Sequence, residues 1–148
     1  MTRYVLLDTG PLGQLARKRP PAALIQWAER LTDVGVRLAV PEICDYELRR
    51  EYIRAGLSDS LIVLDALPAV YDYIPLDTPT LRRAAELWAY VRAQGKPTAD
   101  LRELDGDVIL AAQARLLIEE GHDVTVASAK VGHLSLLVPT RQWPEILR

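Results

Sequence analysis

The sequence predicts an α/β fold: a three-layer sandwich in which a mostly parallel sheet of four to five strands is flanked by helices. Three observations carry that expectation. Short, continuous apolar runs, the mark of strands buried on both faces, alternate with longer segments whose apolar residues recur three to four apart. The 148 residues contain no long polar linker, which fits one domain spanning 1–148. Hydrophobic residues make up 49% and charged residues 26%, with no Phe, which suits an aliphatic core of helices against a sheet.

The elements follow in order. Tyr-Val-Leu-Leu, 4–7, is the first buried strand, and Thr9, Gly10 and Pro11 turn the chain after it. Residues 22–33 place Leu24, Trp27, Ala28 and Leu31 on one helical stripe, and the prolines before them suit a helix start. A second strand, 36–40, is closed by Pro41. The segment 42–54 repeats apolar positions at Cys44, Leu48 and Tyr52, and Gly56 ends that helix. "LSDSLIVLDALPAV" is a short helix with Ser58 in the cap position and a stop at Pro68. Residues 71–76 read as a strand near a sheet edge, because Pro75 lacks a donor there.

Residues 79–94 form an amphipathic helix with Leu81, Ala84, Ala85, Trp88 and Val91 inward, ended by "AQGKP". A further helix covers 107–121, with Asp105 as its N-cap and Gly121 as its stop. "VTVAS", 124–128, is the fourth strand, "LSLLV", 134–138, the candidate fifth, and a final turn starts at Trp143.

Composition also restricts function. A formal charge of −2 provides no global attraction to nucleic acid, so any such binding rests on local clusters such as Arg17-Lys18-Arg19 and Arg49-Arg50, which serve equally as solvated surface. A lone cysteine, Cys44, builds no internal disulfide framework, and no secretory leader pattern is legible, so the expected compartment is the cytoplasm. No run approaches the ~18 apolar residues of a membrane span.

In an open parallel sheet the ligand crevice lies at the carboxyl ends of the strands, and Asp8 closes the first strand there. Capping a helix begun near Pro11, or making an Asx-turn, is its competing use. Asp107 heads a stripe continued by Ala111, Ala114 and Ile118, so a carboxylate points along a buried face. Glu47 lies beside the inward stripe of its helix, with Glu42, Asp45 and Glu51 as rivals. Carboxylates meeting at one rim repel one another unless a cation neutralises them. Oxygen ligands without a Cys or His cluster point to Mg²⁺ or Mn²⁺ and to phosphodiester chemistry.

With those residues in place, the chain resembles the PIN-domain family, in particular the VapC-type nuclease toxins of bacterial toxin–antitoxin pairs. "VLLDTGPLG", "VPEICDYELRRE", "LDGDVILAAQA" and "VTVASAKVGHL" carry the resemblance along the whole chain. It implies a metal-dependent ribonuclease acting on RNA, with Asp8, Glu47 and Asp107 as its acids and metal ligands and with Thr9 and Asp105 in support. It also implies a small antitoxin as partner, one of whose segments blocks the crevice.

The fourth acidic position departs from the family pattern. Ser128 keeps a hydroxyl, Lys130 replaces an asparagine, and His133 stands where an acid is expected. Two outcomes stay open: Lys130 contacts substrate phosphate beside a single metal ion, or its ammonium takes the cation position and leaves a PIN-like module that binds RNA or protein without cutting. Leu57, Leu61, Val63 and Leu64 are either core or part of a homodimer or antitoxin face. A phosphotransfer domain of the haloacid-dehalogenase type ranks below both, because it needs a second acid where Gly10 stands.

Overall fold

A computed structural model describes residues 1–95 and 101–147. Among these residues, five strands form one sheet: β1 (Arg3–Leu7), β2 (Arg37–Pro41), β3 (Asp72–Ile74), β4 (Asp123–Ala127) and β5 (Thr140–Arg141). Every pairing is parallel, and the spatial order is β3-β2-β1-β4-β5. Around the sheet, among the described residues, lie the helices α1 (Thr9–Leu15), α2 (Ala22–Asp33), α3 (Glu42–Ala55), α4 (Ser58–Ala66), α5 (Thr78–Gln94), α6 (Leu101–Glu119) and α7 (Val131–Leu134). This is the α/β layering that the alternating pattern predicts.

The topology selects the site. From β1 the chain steps outward to β2 and β3, then returns to place β4 on the other side of β1 and β5 beyond it. The order therefore reverses between β1 and β4, and such a switch point opens a crevice at the carboxyl ends of the strands. Asp8 follows β1 and Ser128 follows β4. The main chain joins them, since Asp8 N–H donates to Ala127 O at 3.0 Å.

The core holds this rim rigid. Val5, Leu6 and Leu7 of β1, Leu38, Ala39 and Val40 of β2, and Val126 and Ala127 of β4 are buried, as are Leu12, Leu24, Trp27 and Leu110 on the helices. A fully buried Leu or Val contributes about 1.5–3 kcal/mol through its apolar surface, so β1 is anchored mainly by its last three residues. Gly56 adopts φ 68° at the end of α3, a left-handed conformation that favours glycine and stops the helix where expected.

Several expectations are corrected. Asp8 is the N-cap of a helix, one of the uses the sequence leaves open for it, but α1 starts already at Thr9, where the sequence predicts a turn and a helix start near Pro11. The cap position before α4 is Leu57, and Ser58 is already helical without a side-chain cap bond. The inward stripe of α5 is Thr80, Ala84, Leu87 and Val91, while Leu81, Ala85 and Trp88 are exposed. These two stripes lie side by side, and period alone does not choose between them. Gly95 ends α5 with φ 65°; Lys96 and Pro97 of the expected stop signal lie outside the described residues.

Helix α6 begins at Leu101, so neither Asp105 nor Asp107 caps it. The strand expected at 134–138 is absent: Leu134 closes α7, Leu137 and Val138 are buried in the turn after it, and β5 pairs further on, at Thr140–Arg141. A short apolar run satisfies a buried turn as well as a strand. β3 is an edge strand, as Pro75 predicts. No helix among the described residues is long and apolar enough to cross a membrane.

Candidate active site at the switch point

Asp8 occupies the rim with an extended backbone, φ −68° and ψ 170°, and it is only 4% exposed. Its Oδ1 accepts Thr9 N–H at 2.8 Å, and its Oδ2 accepts the Ser128 hydroxyl at 2.6 Å. The capping use and the crevice use of Asp8 are thus compatible: one oxygen caps α1 while the other faces the loop after β4. The Ser128 oxygen also accepts Lys130 N–H at 2.9 Å. That turn directs the lysine side chain back over the rim, where its ammonium stands 3.4 Å from Asp107 Oδ1 and 3.9 Å from Glu103 Oε2.

Helices α3 and α6 supply the remaining acids. Asp107 is 6% exposed, and Glu47 is half-buried against Gly106. A methyl group added at Gly106 would stand 3.0 Å from both Glu47 carboxylate oxygens, so the glycine makes room for that side chain. Burial raises the pKa of Glu47; Lys130 opposes the shift, and Asp8 and Asp107 add to it. Asp107 is raised in the same way, by burial first, with Lys130 opposing and Asp8 and Glu103 adding. For Lys130, burial works against the charge, but Asp107, Asp8, Glu103 and Glu47 outweigh it and hold its pKa above the ordinary value. Asp8, Glu47 and Asp107 therefore act as one electrostatic cluster, with Lys130 as its counter-ion.

Asp105 does not join it. Residues two apart on an α-helix lie ~200° apart around the axis, so Asp105 turns away from Asp107. It is exposed and lines an apolar groove with Leu81, Ala84, Trp88, Val108 and Ile109 between α5 and α6. Thr9 contributes its backbone N–H to Asp8, and His133 is exposed on α7. Of the apolar face suggested on α4, Leu64 is core, Leu57 is exposed, and Leu61 and Val63 are intermediate.

Three further residues shape the site. Glu103 lies four before Asp107 and so shares its helix face. Gly106, inside a helix where glycine costs about 1 kcal/mol relative to Ala, signals a close approach. The helical period makes Cys44 a core residue, yet its thiol also donates to Asp8 Oδ1 at 3.6 Å. Burial, then Asp8 and Glu47, push that thiol well above its ordinary pKa, which keeps it a neutral donor and not a thiolate ligand.

In donor chemistry the cluster fits a hard divalent cation, since its carboxylates come from β1, α3 and α6 and no thiolate or imidazole competes. As arranged, no group of three or more His, Cys, Asp or Glu side chains among the described residues is assembled to hold a metal ion. Asp107 and Glu103 are paired with the Lys130 ammonium. Its contacts are long for charge-assisted bonds, which favour about 2.7–2.9 Å, and its side chain is 33% exposed, so it is loosely held.

No family model matches the sequence, and no curated protein matches it. Solved structures do share its fold. A chain of the VapBC2 complex of Rickettsia felis, bound to a DNA fragment from its promoter, superposes with a TM-score of 0.74 at 16% identity, covering 95% of this chain and 98% of that one. A chain of VapBC-1 from nontypeable Haemophilus influenzae gives 0.69 at 17% identity, with 96% and 99% covered. A chain of FitAcB from Neisseria gonorrhoeae gives 0.67 at 22% identity, with 96% and 99% covered. These values establish a common fold over nearly the whole chain and bear out the PIN-like architecture that the motifs suggest.

Proposed function

We propose that this chain is the toxin of a toxin–antitoxin pair, an endoribonuclease that depends on Mg²⁺ or Mn²⁺ and works in the cytoplasm. The observation that supports it most is the convergence of Asp8, Glu47 and Asp107 at the switch point of a parallel sheet. The structural neighbours add to it, since they come from toxin–antitoxin complexes. The expected partner is a small antitoxin protein, with single-stranded RNA as substrate.

Asp8, Glu47 and Asp107 would hold the ion, which when bound activates water and stabilises charge developing on the phosphate. The chain's own residues set the rest. Ser128 fixes the Asp8 carboxylate through its hydroxyl, so that acid enters the reaction already oriented. Lys130, freed from Asp107, is a point charge for a phosphate oxygen at the same rim. Gly106 keeps Glu47 close to α6 and so to Asp107.

The Lys130–Asp107 contact favours a second reading, a PIN-like module that binds RNA or protein but does not cut, its cation position filled by the ammonium. Cleavage of a mixed single-stranded RNA, with Mn²⁺ and with EDTA, for the native chain and for Asp8→Asn, decides between them. The nuclease reading expects Mn²⁺-dependent cleavage that falls at least about 100-fold in the variant, the scale of losing several kcal/mol of transition-state stabilisation. Absent or metal-independent cleavage by the native chain removes it.

A further inference from the structure

We propose that the cleft beside Ser128, on the β4–β5 side of the acid cluster, is a nucleobase subsite in which Trp143 is the stacking wall and the Gln14 and Gln142 carboxamides read the base edge. The inference rests on the RNA reading above and adds to it where the neighbouring nucleotide sits.

The cleft has a volume of about 230 Å³ and is lined by Pro11, Gln14, Ser128, Ala129, Gln142 and Trp143, among others. Its walls come from α1, which follows Asp8, from the loop after β4, and from the segment after β5. Ser128 belongs to both places: it lines the cleft and donates to Asp8. A base in the cleft therefore belongs to a nucleotide next to the phosphate lying at the acids.

The chemistry of the walls selects the ligand. None of the described residues lining the cleft is charged, so they do not attract a phosphate, whereas Lys130 at the acid cluster does. A flat, neutral group with donors and acceptors on its edge suits the space. A carboxamide offers both a donor and an acceptor, the pair needed to read a base edge. Neither glutamine side chain takes part in an intramolecular hydrogen bond among the described residues, so both are available.

Trp143 is also held in advance. Its ring lies 5.5 Å from that of Trp27, tilted by 54°, and Trp27 Nε1 donates to Ile146 O at 3.0 Å, which ties the following turn to α2. The indole remains partly exposed. An ordered aromatic wall loses little side-chain freedom when a base stacks on it.

The test is fluorescence anisotropy with a labelled five-nucleotide RNA and with the same strand carrying an abasic residue at each position in turn, all in EDTA so that cleavage does not intervene. Proteins are the native chain, Trp143→Leu, which keeps apolar packing on Trp27, and Gln14→Ala. One abasic position is expected to weaken native binding about tenfold, within the range for a stacked base. Trp143→Leu is expected to lose about the same factor on the intact strand and almost nothing on that abasic strand, and Gln14→Ala to lose about threefold. Native binding that neither variant alters overturns the subsite and leaves the nuclease reading standing. Failure of the native chain to bind RNA in EDTA also overturns the subsite, while the nuclease reading stands or falls separately on Mn²⁺-dependent cleavage.

Discussion

Two carboxylate clusters share the carboxyl rim of the sheet and share α3, yet they are built in opposite ways. On the β2–β3 side, Glu42 accepts Leu76 N–H at 2.7 Å, and Tyr73 Oη lies 3.1 Å from Glu42 Oε2 and 2.9 Å from Asp45 Oδ2. Arg49 then bridges Asp45 and Asp65. On the β1–β4 side, Asp107 shares a loosely held ammonium with Glu103, Glu47 has only Arg50 at 4.0 Å among the described residues, and burial raises the pKa of both Glu47 and Asp107. The first set has a donor near nearly every oxygen and fastens β3 to α3. The second is left short of positive charge. A buried acid that is fully bonded holds structure together, while one kept short of donors is ready for an incoming cation.

The sharpest break in that comparison comes from Tyr73→Phe. Removing the hydroxyl leaves Glu42 and Asp45 facing each other without it, and the protein is expected to lose about 1–2 kcal/mol in urea unfolding while Mn²⁺ affinity stays unchanged. If Mn²⁺ binding falls along with stability, the two clusters are one unit.

Lys130→Ala acts on the other side. Loss of the ammonium is expected to tighten Mn²⁺ binding on the order of tenfold, read by electron paramagnetic resonance of the bound ion, as for a one-unit change in carboxylate affinity. It also changes the pH profile. Glu47 and Asp107 have folded pKa values above their ordinary ones, so the folded state binds their protons more tightly than the unfolded state does. Stability therefore falls as pH rises from the ordinary carboxylate range through the raised values. Lys130 limits that fall, and without it the drop in Tm between about pH 4 and about pH 7 is expected to widen. An unchanged profile would show that the ammonium does not balance these acids.

Gly106→Ala is the finest probe. Alanine in a helix interior gains up to about 1 kcal/mol over glycine, but here its methyl displaces the Glu47 carboxylate. Stability is expected to change by less than about 1 kcal/mol and Mn²⁺ affinity to fall roughly two- to fivefold. Unaltered affinity would remove Glu47 from the cation site.

Asp8 and Asp107 were legible as candidates because each breaks a local pattern, one ending an apolar strand and the other heading an apolar stripe. Glu47 was harder, since Glu42 and Asp45 occupy the same helix with equal claim, and only the partners across the rim show which acids are already bonded. Asp105 was misplaced because the helix start was set too late; once α6 begins at Leu101, two residues' rotation sends it to the far side. The fifth strand was misplaced for a related reason, as an apolar run reports burial and not conformation.

Taken alone, the sequence determined the alternation of strands and helices, the buried faces of β1, β2 and β4, and the ends of α3 and α5. These are local properties, set by hydrophobic period and by residues such as Gly56 and Gly95 whose backbone needs are their own. The tertiary structure alone decided which stripe of α5 faces inward, which acids face one another, and that the cation beside Asp107 is the chain's own Lys130. Electrostatic coupling depends on distance in space. Residues 8, 47, 107 and 130 become neighbours only when the sheet reverses its order between β1 and β4.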